Sequence, residues 1–94
     1  MAPTHPGDIL LHDFLEPLDM SANALALELH VPANRISKIV KGERNITGDT
    51  ALRLARYFGT TPEFWMNLQK NHELQCARKE IAPKINKEVQ PRAA

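Results

Sequence analysis

Asn34, Arg35, Ser37, Lys38 and Lys41 fall within eight consecutive residues, interleaved with Ile36, Ile39 and Val40. On a helical period of 3.6 the three apolar residues share one side and the polar ones turn away from it. An asparagine amide can pair bidentately with adenine, and a lysine can donate to the acceptors of guanine. Each good bidentate pair is worth about 1–3 kcal/mol of discrimination between bases. Asn34 and Lys38 are one helical turn apart and face the same groove. Arg35, Lys41 and Arg44 suit phosphate oxygens, a contact that sets register and makes binding salt-dependent without reading sequence. Ser21 and Asn23 can add phosphate bonds from the start of a preceding helix.

Other chemistry finds little support in the residues. His5, His12, His30 and His72 are too scattered in sequence to imply a metal site, although Asp8 and His12 are spaced as helix neighbours and suit surface pairing. Cys76 is the single cysteine, so neither an internal disulfide nor a zinc-binding or redox C-x-x-C pair exists. No nucleophile and base form a signature and no glycine-rich loop cradles a phosphate. Neither an enzyme nor a cofactor is expected.

The elements that must position the polar stretch can be read from spacing and punctuation. Leu10, Leu11, Phe14, Leu15 and Leu18 make an apolar stripe that predicts a first helix over residues 7–16, ended by Pro17. Ser21 is a good N-cap for a second helix over residues 22–29, whose buried face is Ala22, Leu25, Ala26 and Leu29. His30 and Val31 form a tight turn. Pro32 suits the first turn of the third helix, and Gly42 stops it in the left-handed conformation. Thr47 caps a fourth helix with Leu52, Ala55 and Phe58 at helical spacing, ended by Gly59. Thr61 and Pro62 open a fifth that runs to about Ala82, with Phe64, Trp65 and Leu68 as its core candidates. The expected fold is all-α, with residues 1–82 as one domain and 83–94 as a flexible, charged, proline-containing tail.

The two helices flanking His30 have the lengths of a DNA-binding helix-turn-helix over residues 21–42. Helical hairpins are common, so the basic polar face of the second member is what points to DNA. Arg53 and Arg56 differ, because they flank the apolar side of the fourth helix and their stems suit covering core surface.

Ninety-four residues bound the chain to one small domain, and an aromatic content of 5% leaves its core to Leu, Ile, Val and Ala. The net charge of +1 hides a strong division. Residues 1–30 carry five acidic and no Lys or Arg side chains, residues 31–57 a net of +4, and residues 58–94 a net of +2. No secretory leader or apolar run of membrane length is present, so a cytoplasmic protein is expected.

Residues 21–42, SANALALELHVPANRISKIVKG, resemble the helix-turn-helix of the lambda-repressor-like, or XRE, family. The flanking HPGDILLHDFLEPLDMS and ITGDTALRLARYFGTTPEFWMNLQ resemble the HigA antitoxins, and the resemblance covers residues 5–69. It implies five helices, a homodimer, autoregulation of an operon, and a partner toxin of the RelE-like, messenger-RNA-cleaving kind. It also implies major-groove contact at residues 32–38, with Ala33, Asn34, Ser37 and Lys38 as the base-facing set and Ala33 placed to touch a thymine methyl. His30 departs from the glycine that many relatives carry at the turn.

The expected function is therefore an antitoxin and autorepressor whose dimer spans a palindromic operator. A free-standing regulator without a toxin stays open, as does a protein-interaction module that never meets DNA. Asp8, Asp13 and Glu16 on the first helix suit docking of a basic toxin, and equally suit solubility and repulsion of DNA from the wrong face. Dimerisation is expected through the fifth helix, where Met66, Leu74 and Ile81 offer apolar surface interrupted by the polar residues 69–73.

Overall fold

The first helix opens on a histidine cap. His5 Nδ1 accepts the Gly7 amide hydrogen at 2.9 Å, and Pro6 follows it in the first turn. A computed structural model describes residues 4–93 of the chain; the outermost positions of the two ranges expected from sequence, residues 1–3 and 94, lie outside it. Burial first, and the nearby His72 second, hold the His5 pKa below its ordinary value and keep the ring in the neutral form that can accept this bond.

Helix α1, Pro6–Ile9, continues without a break into a π-helical turn over Leu10–Leu15. The wider turn brings Leu10 and Leu15, five residues apart, to nearly the same side, and both are buried. The apolar stripe therefore stops one step early. Leu18 is 58% exposed, because the chain leaves the helix at Glu16 and Pro17 and reverses through Asp19 in the left-handed region, φ +51°. Aspartate tolerates that region better than most residues.

Helix α2, Ala22–Leu29, keeps its predicted bounds, with Ser21 Oγ accepting the Ala24 amide hydrogen at 3.0 Å. His30 closes it in the left-handed region, φ +58°, where the resemblance places glycine. Helix α3, Ala33–Val40, starts one residue after Pro32, which acts as its N-cap. Gly42, φ +78°, ends it.

Helix α4, Gly48–Phe58, buries Thr50, Ala51, Leu54 and Ala55. Expected stripe member Leu52 is 61% exposed, and Leu54 takes its place two residues on. The correction follows from α4 entering the core by Ala51, Leu54 and Ala55, so the i, i+3, i+4 series begins at Ala51. Thr47 caps by position without a side-chain hydrogen bond.

Helix α5, Pro62–Glu80, is capped by Thr61 Oγ1 on the Phe64 amide hydrogen at 3.1 Å. Trp65 is fully buried, with its indole N–H given to Thr60 Oγ1 at 2.7 Å, while Phe64 stays partly exposed. Phe14 lies 4.9 Å, centroid to centroid, from both Phe58 and Trp65, so one aromatic side chain ties α4, α5 and the π turn together.

The helices enclose one core of Leu10, Leu15, Leu25, Leu29, Ile36, Ile39, Ile46, Leu54 and Trp65 with small alanines between them. Burying each leucine or isoleucine contributes about 1.5–3 kcal/mol. Gly7 decides how closely α1 meets α3: a Cβ there would overlap the Ile39 carbonyl oxygen. No strand occurs among the described residues. The five expected helices are present, and a sixth, α6, spans Ala82–Glu88, where the sequence suggests only a tail. It buries no residue and is held by local bonds, among them a Lys84–Glu88 pair at 3.9 Å. No described helix is long and apolar enough to cross a membrane.

Candidate nucleic-acid interface

Helix α3 fixes itself by Ile36 and Ile39, both fully buried, and its other side faces outward. Ala33, Asn34 and Lys38 are exposed there, and Ser37 is half-buried with Oγ donating to the Asn34 carbonyl at 3.4 Å. Asn34 and Lys38 make no side-chain hydrogen bond or ion pair among the described residues, so their donors are free for a base edge. The expected base-facing set thus lies on one ridge.

The flanking contacts divide. Asn23, Lys41 and Arg44 are exposed, and neither cation has a carboxylate partner among the described residues. Ser21 is engaged as an acceptor in its cap, which leaves its hydroxyl proton for a phosphate oxygen. Arg35 is not free in this way. Its Nη1 donates to Asp49 Oδ1 at 2.8 Å, its side chain is 25% exposed, and its buried Nε has no partner. The expected free phosphate contact is an internal ion pair.

Asp49 Oδ1 also accepts Arg53 Nε at 2.9 Å, and Arg53 Nη1 donates to the Leu29 carbonyl at 2.8 Å. The Arg53 hydrogen bond, with the charges of Arg53 and Arg35 behind it, holds the Asp49 carboxyl below its ordinary pKa. Three helices meet in this chain of contacts. The C-terminal carbonyl of α2, the first turn of α3 and the first turn of α4 are bound to one another, which fixes how α3 stands relative to α2. Arg53 is structural through its guanidinium bonds and not through the stem cover expected of it, and Arg56, paired with it in that expectation, is exposed.

On the opposite charge face, Asp8, Asp13 and Glu16 are all exposed on the first helix. Glu16 binds His12 at 2.7 Å, and this hydrogen bond is the first cause of the raised His12 pKa. The partner of His12 is thus Glu16 and not Asp8. No group of three or more His, Cys, Asp or Glu that could hold a metal occurs among the described residues.

One supporting residue was not anticipated. Gln69, in a stretch read as a polar interruption of the fifth helix's apolar surface, is 3% exposed. Its Oε1 accepts the buried Ile46 amide hydrogen at 2.8 Å, and its Nε2 donates to Glu73 at 3.0 Å. The bond anchors the loop between α3 and α4 that carries Arg44. The signal available was position: Gln69 stands four residues after Trp65, on the buried side of α5 whatever its polarity.

Known proteins share this fold. The helix-turn-helix family matches residues 11–65. Virulence-associated protein I of Dichelobacter nodosus is 48% identical over 80 residues, which are 85% of this chain and 74% of that protein. An addiction module antidote protein of the HigA family from Coxiella burnetii superposes with a TM-score of 0.91 at 52% identity, over 98% of this chain and 100% of that one. The Pseudomonas aeruginosa antitoxin HigA, solved with the higBA promoter, superposes with a TM-score of 0.93 at 43% identity, over 97% and 99% of the two chains. With the helix-turn-helix matched over more than half its length and the whole fold shared with these structures, the chain belongs to the HigA antitoxins of the helix-turn-helix family.

Proposed function

We propose that this chain represses its own operon as a dimer on a palindromic operator and neutralises a RelE-like, messenger-RNA-cleaving toxin encoded beside it. The observation that carries the DNA half is the ridge on α3, where Asn34 and Lys38 stand unpartnered above a buried Ile36 and Ile39. The Pseudomonas antitoxin HigA, solved with the higBA promoter, supports DNA as the partner. Two copies place their α3 helices in major grooves roughly 34 Å apart, one turn of DNA. Asn34 and Lys38 read bases with Ala33 and Ser37 beside them, and Ser21, Asn23, Lys41 and Arg44 hold phosphates. Arg35, engaged with Asp49, supports the position of α3 in place of contacting DNA freely. Asp8, Asp13 and Glu16 receive the toxin on the acidic side, away from the bases.

The test is a gel shift on the DNA upstream of the chain's own gene, at stated salt. Asn34→Ala with Lys38→Ala weakens specific binding by at least about 30-fold, from two contacts of about 1 kcal/mol or more each. Unchanged binding rules out this reader assignment. Co-expression with the neighbouring gene product, followed by pull-down, tests the toxin half. Wild-type levels of capture after charge reversal at Asp8, Asp13 and Glu16 remove those residues from the docking surface, and a neighbourhood without a basic nuclease-like product leaves a repressor alone.

A further inference from the structure

Two histidines meet where three helices converge. His5, the cap of α1, and His72 of α5 stand edge to face with ring centroids 4.8 Å apart. His5 Nδ1 accepts the Gly7 amide hydrogen. His72 Nδ1 faces the Thr4 carbonyl at 3.2 Å, and since a carbonyl only accepts, that nitrogen carries the ring's proton. His72 Nε2 is then the acceptor, with the Cys76 thiol 3.7 Å away to donate. The His5 ring also reaches the stop of α3, where a Cβ on Gly42 would come 3.8 Å from its Cγ. Two residues on, Gly7 lies so close to the Ile39 carbonyl that no side chain fits between them. A few residues thus join the start of α1 both to α5 and to the end of the helix that carries Asn34 and Lys38.

We infer that His5 and His72 form a proton-operated clasp: with His5 neutral it braces α3 from its buried side through α1, and a proton taken up by His5 opens it and weakens the grip on DNA. The consequence for DNA rests on the repressor reading above, and the clasp itself does not.

His5 Nδ1 is the atom that decides. An imidazolium has two donors and no acceptor, so a proton on Nδ1 excludes the Gly7 hydrogen bond. It also sets a cation against a second imidazole. The groups facing His5 come from each element around it. Asp8 on α1 favours the charged ring, α5 brings His72 with Cys76 behind it, and the end of α3 brings the uncharged Gly42. Burial and His72 outweigh Asp8, so the closed clasp takes a proton less readily than the open one. The clasp's hold is therefore complete above the ordinary value of 6.5 and is lost as pH falls from there through the lowered one. The pairing of His12 with Glu16 has the opposite sign, contributing more as pH falls, so a readout local to Gly7 is required.

Solvent exchange of the Gly7 amide, followed by NMR on the full chain from about pH 7.5 to about pH 5 and corrected for its intrinsic rate, reads the clasp. Protection falls at least about threefold over that range, with a midpoint that follows the titration of the His5 ring in the same samples. His5→Asn keeps a capping acceptor, takes up no proton, and holds protection constant within about 1.5-fold. His72→Asn keeps a donor for the Thr4 carbonyl and gives a shallower fall than the wild type. Gel shifts on the upstream DNA at fixed salt are compared as the ratio of wild-type to His5→Asn affinity, which cancels the titration of groups common to both. The ratio falls at least about twofold over the same range.

Constant wild-type protection overturns the clasp, as does a fall in His5→Asn or His72→Asn as steep as in the wild type. Circular dichroism confirms that the variants fold. If His5→Asn does not fold, the two wild-type midpoints decide, and a separation of more than about one pH unit between them overturns the clasp. A constant affinity ratio overturns the brace on α3. Failure of both proteins to bind the upstream DNA at any pH removes the repressor reading, and amide exchange still decides the clasp.

Discussion

Gln69→Leu removes one acceptor from the interior while nearly keeping the side chain's size. Leucine cannot accept the Ile46 amide hydrogen, and Ile46 is 2% exposed, so water does not replace the lost partner. A buried amide left unsatisfied costs about 1–3 kcal/mol. Glu73, whose own exposure lets water replace the Gln69 donor, adds little. For a domain of this size each 1 kcal/mol lowers Tm by roughly 4–8 °C, so a fall of about 5–20 °C is expected. Urea denaturation followed by fluorescence of Trp65, the single and fully buried tryptophan, measures the loss. Amide hydrogen exchange locates it, with the Ile46 amide losing protection ahead of those in α2 and α4. A variant within about 0.5 kcal/mol of wild type, with its Ile46 amide still protected, refutes the argument that this bond anchors the loop.

Two further outcomes follow from the same packing and electrostatics. Gly7→Ala destabilises the fold by about 1–3 kcal/mol despite alanine's higher helix propensity, because the new Cβ must push α1 away from the Ile39 carbonyl; a thermal melt at or above the wild-type midpoint contradicts that close approach. Asp49→Asn lowers stability at neutral pH by an amount that depends on acidity. The folded carboxyl titrates below its ordinary value of 3.8, so the ion pair's contribution is present above that value and is lost as pH falls through the lowered one. The urea midpoints of wild type and variant therefore converge in strong acid, and a constant difference from neutral pH to below 3 shows that charge on Asp49 is not the cause.

How far the sequence reached differs residue by residue. Residues 21–42 were legible because a cap, a short stripe, a left-handed turn and a stop follow each other with no competing pattern. Helix α2 consequently keeps its predicted bounds, and Asn34 and Lys38 stand on the outer ridge that their spacing against Ile36 and Ile39 requires. Leu18 and Leu52 were misplaced for a shared reason. Spacing shows that a face exists, but a π turn or a shift in which residue enters the core first decides where it ends.

Local pattern alone determined the helix-turn-helix, its outward polar ridge and the division of charge along the chain, since each depends only on neighbours within about a turn. Tertiary structure decided which charges remain free to act. Arg35 and Lys41 look alike in sequence, yet Asp49, fourteen residues beyond Arg35, reaches it across the junction of α3 and α4, while no carboxylate reaches Lys41 among the described residues. A second long-range contact, from the Ile46 amide hydrogen to Gln69 Oε1, ties a polar residue of α5 to the loop that carries Arg44. Such pairings rest on distances between helices, which the packing of the core sets and no sequence period encodes.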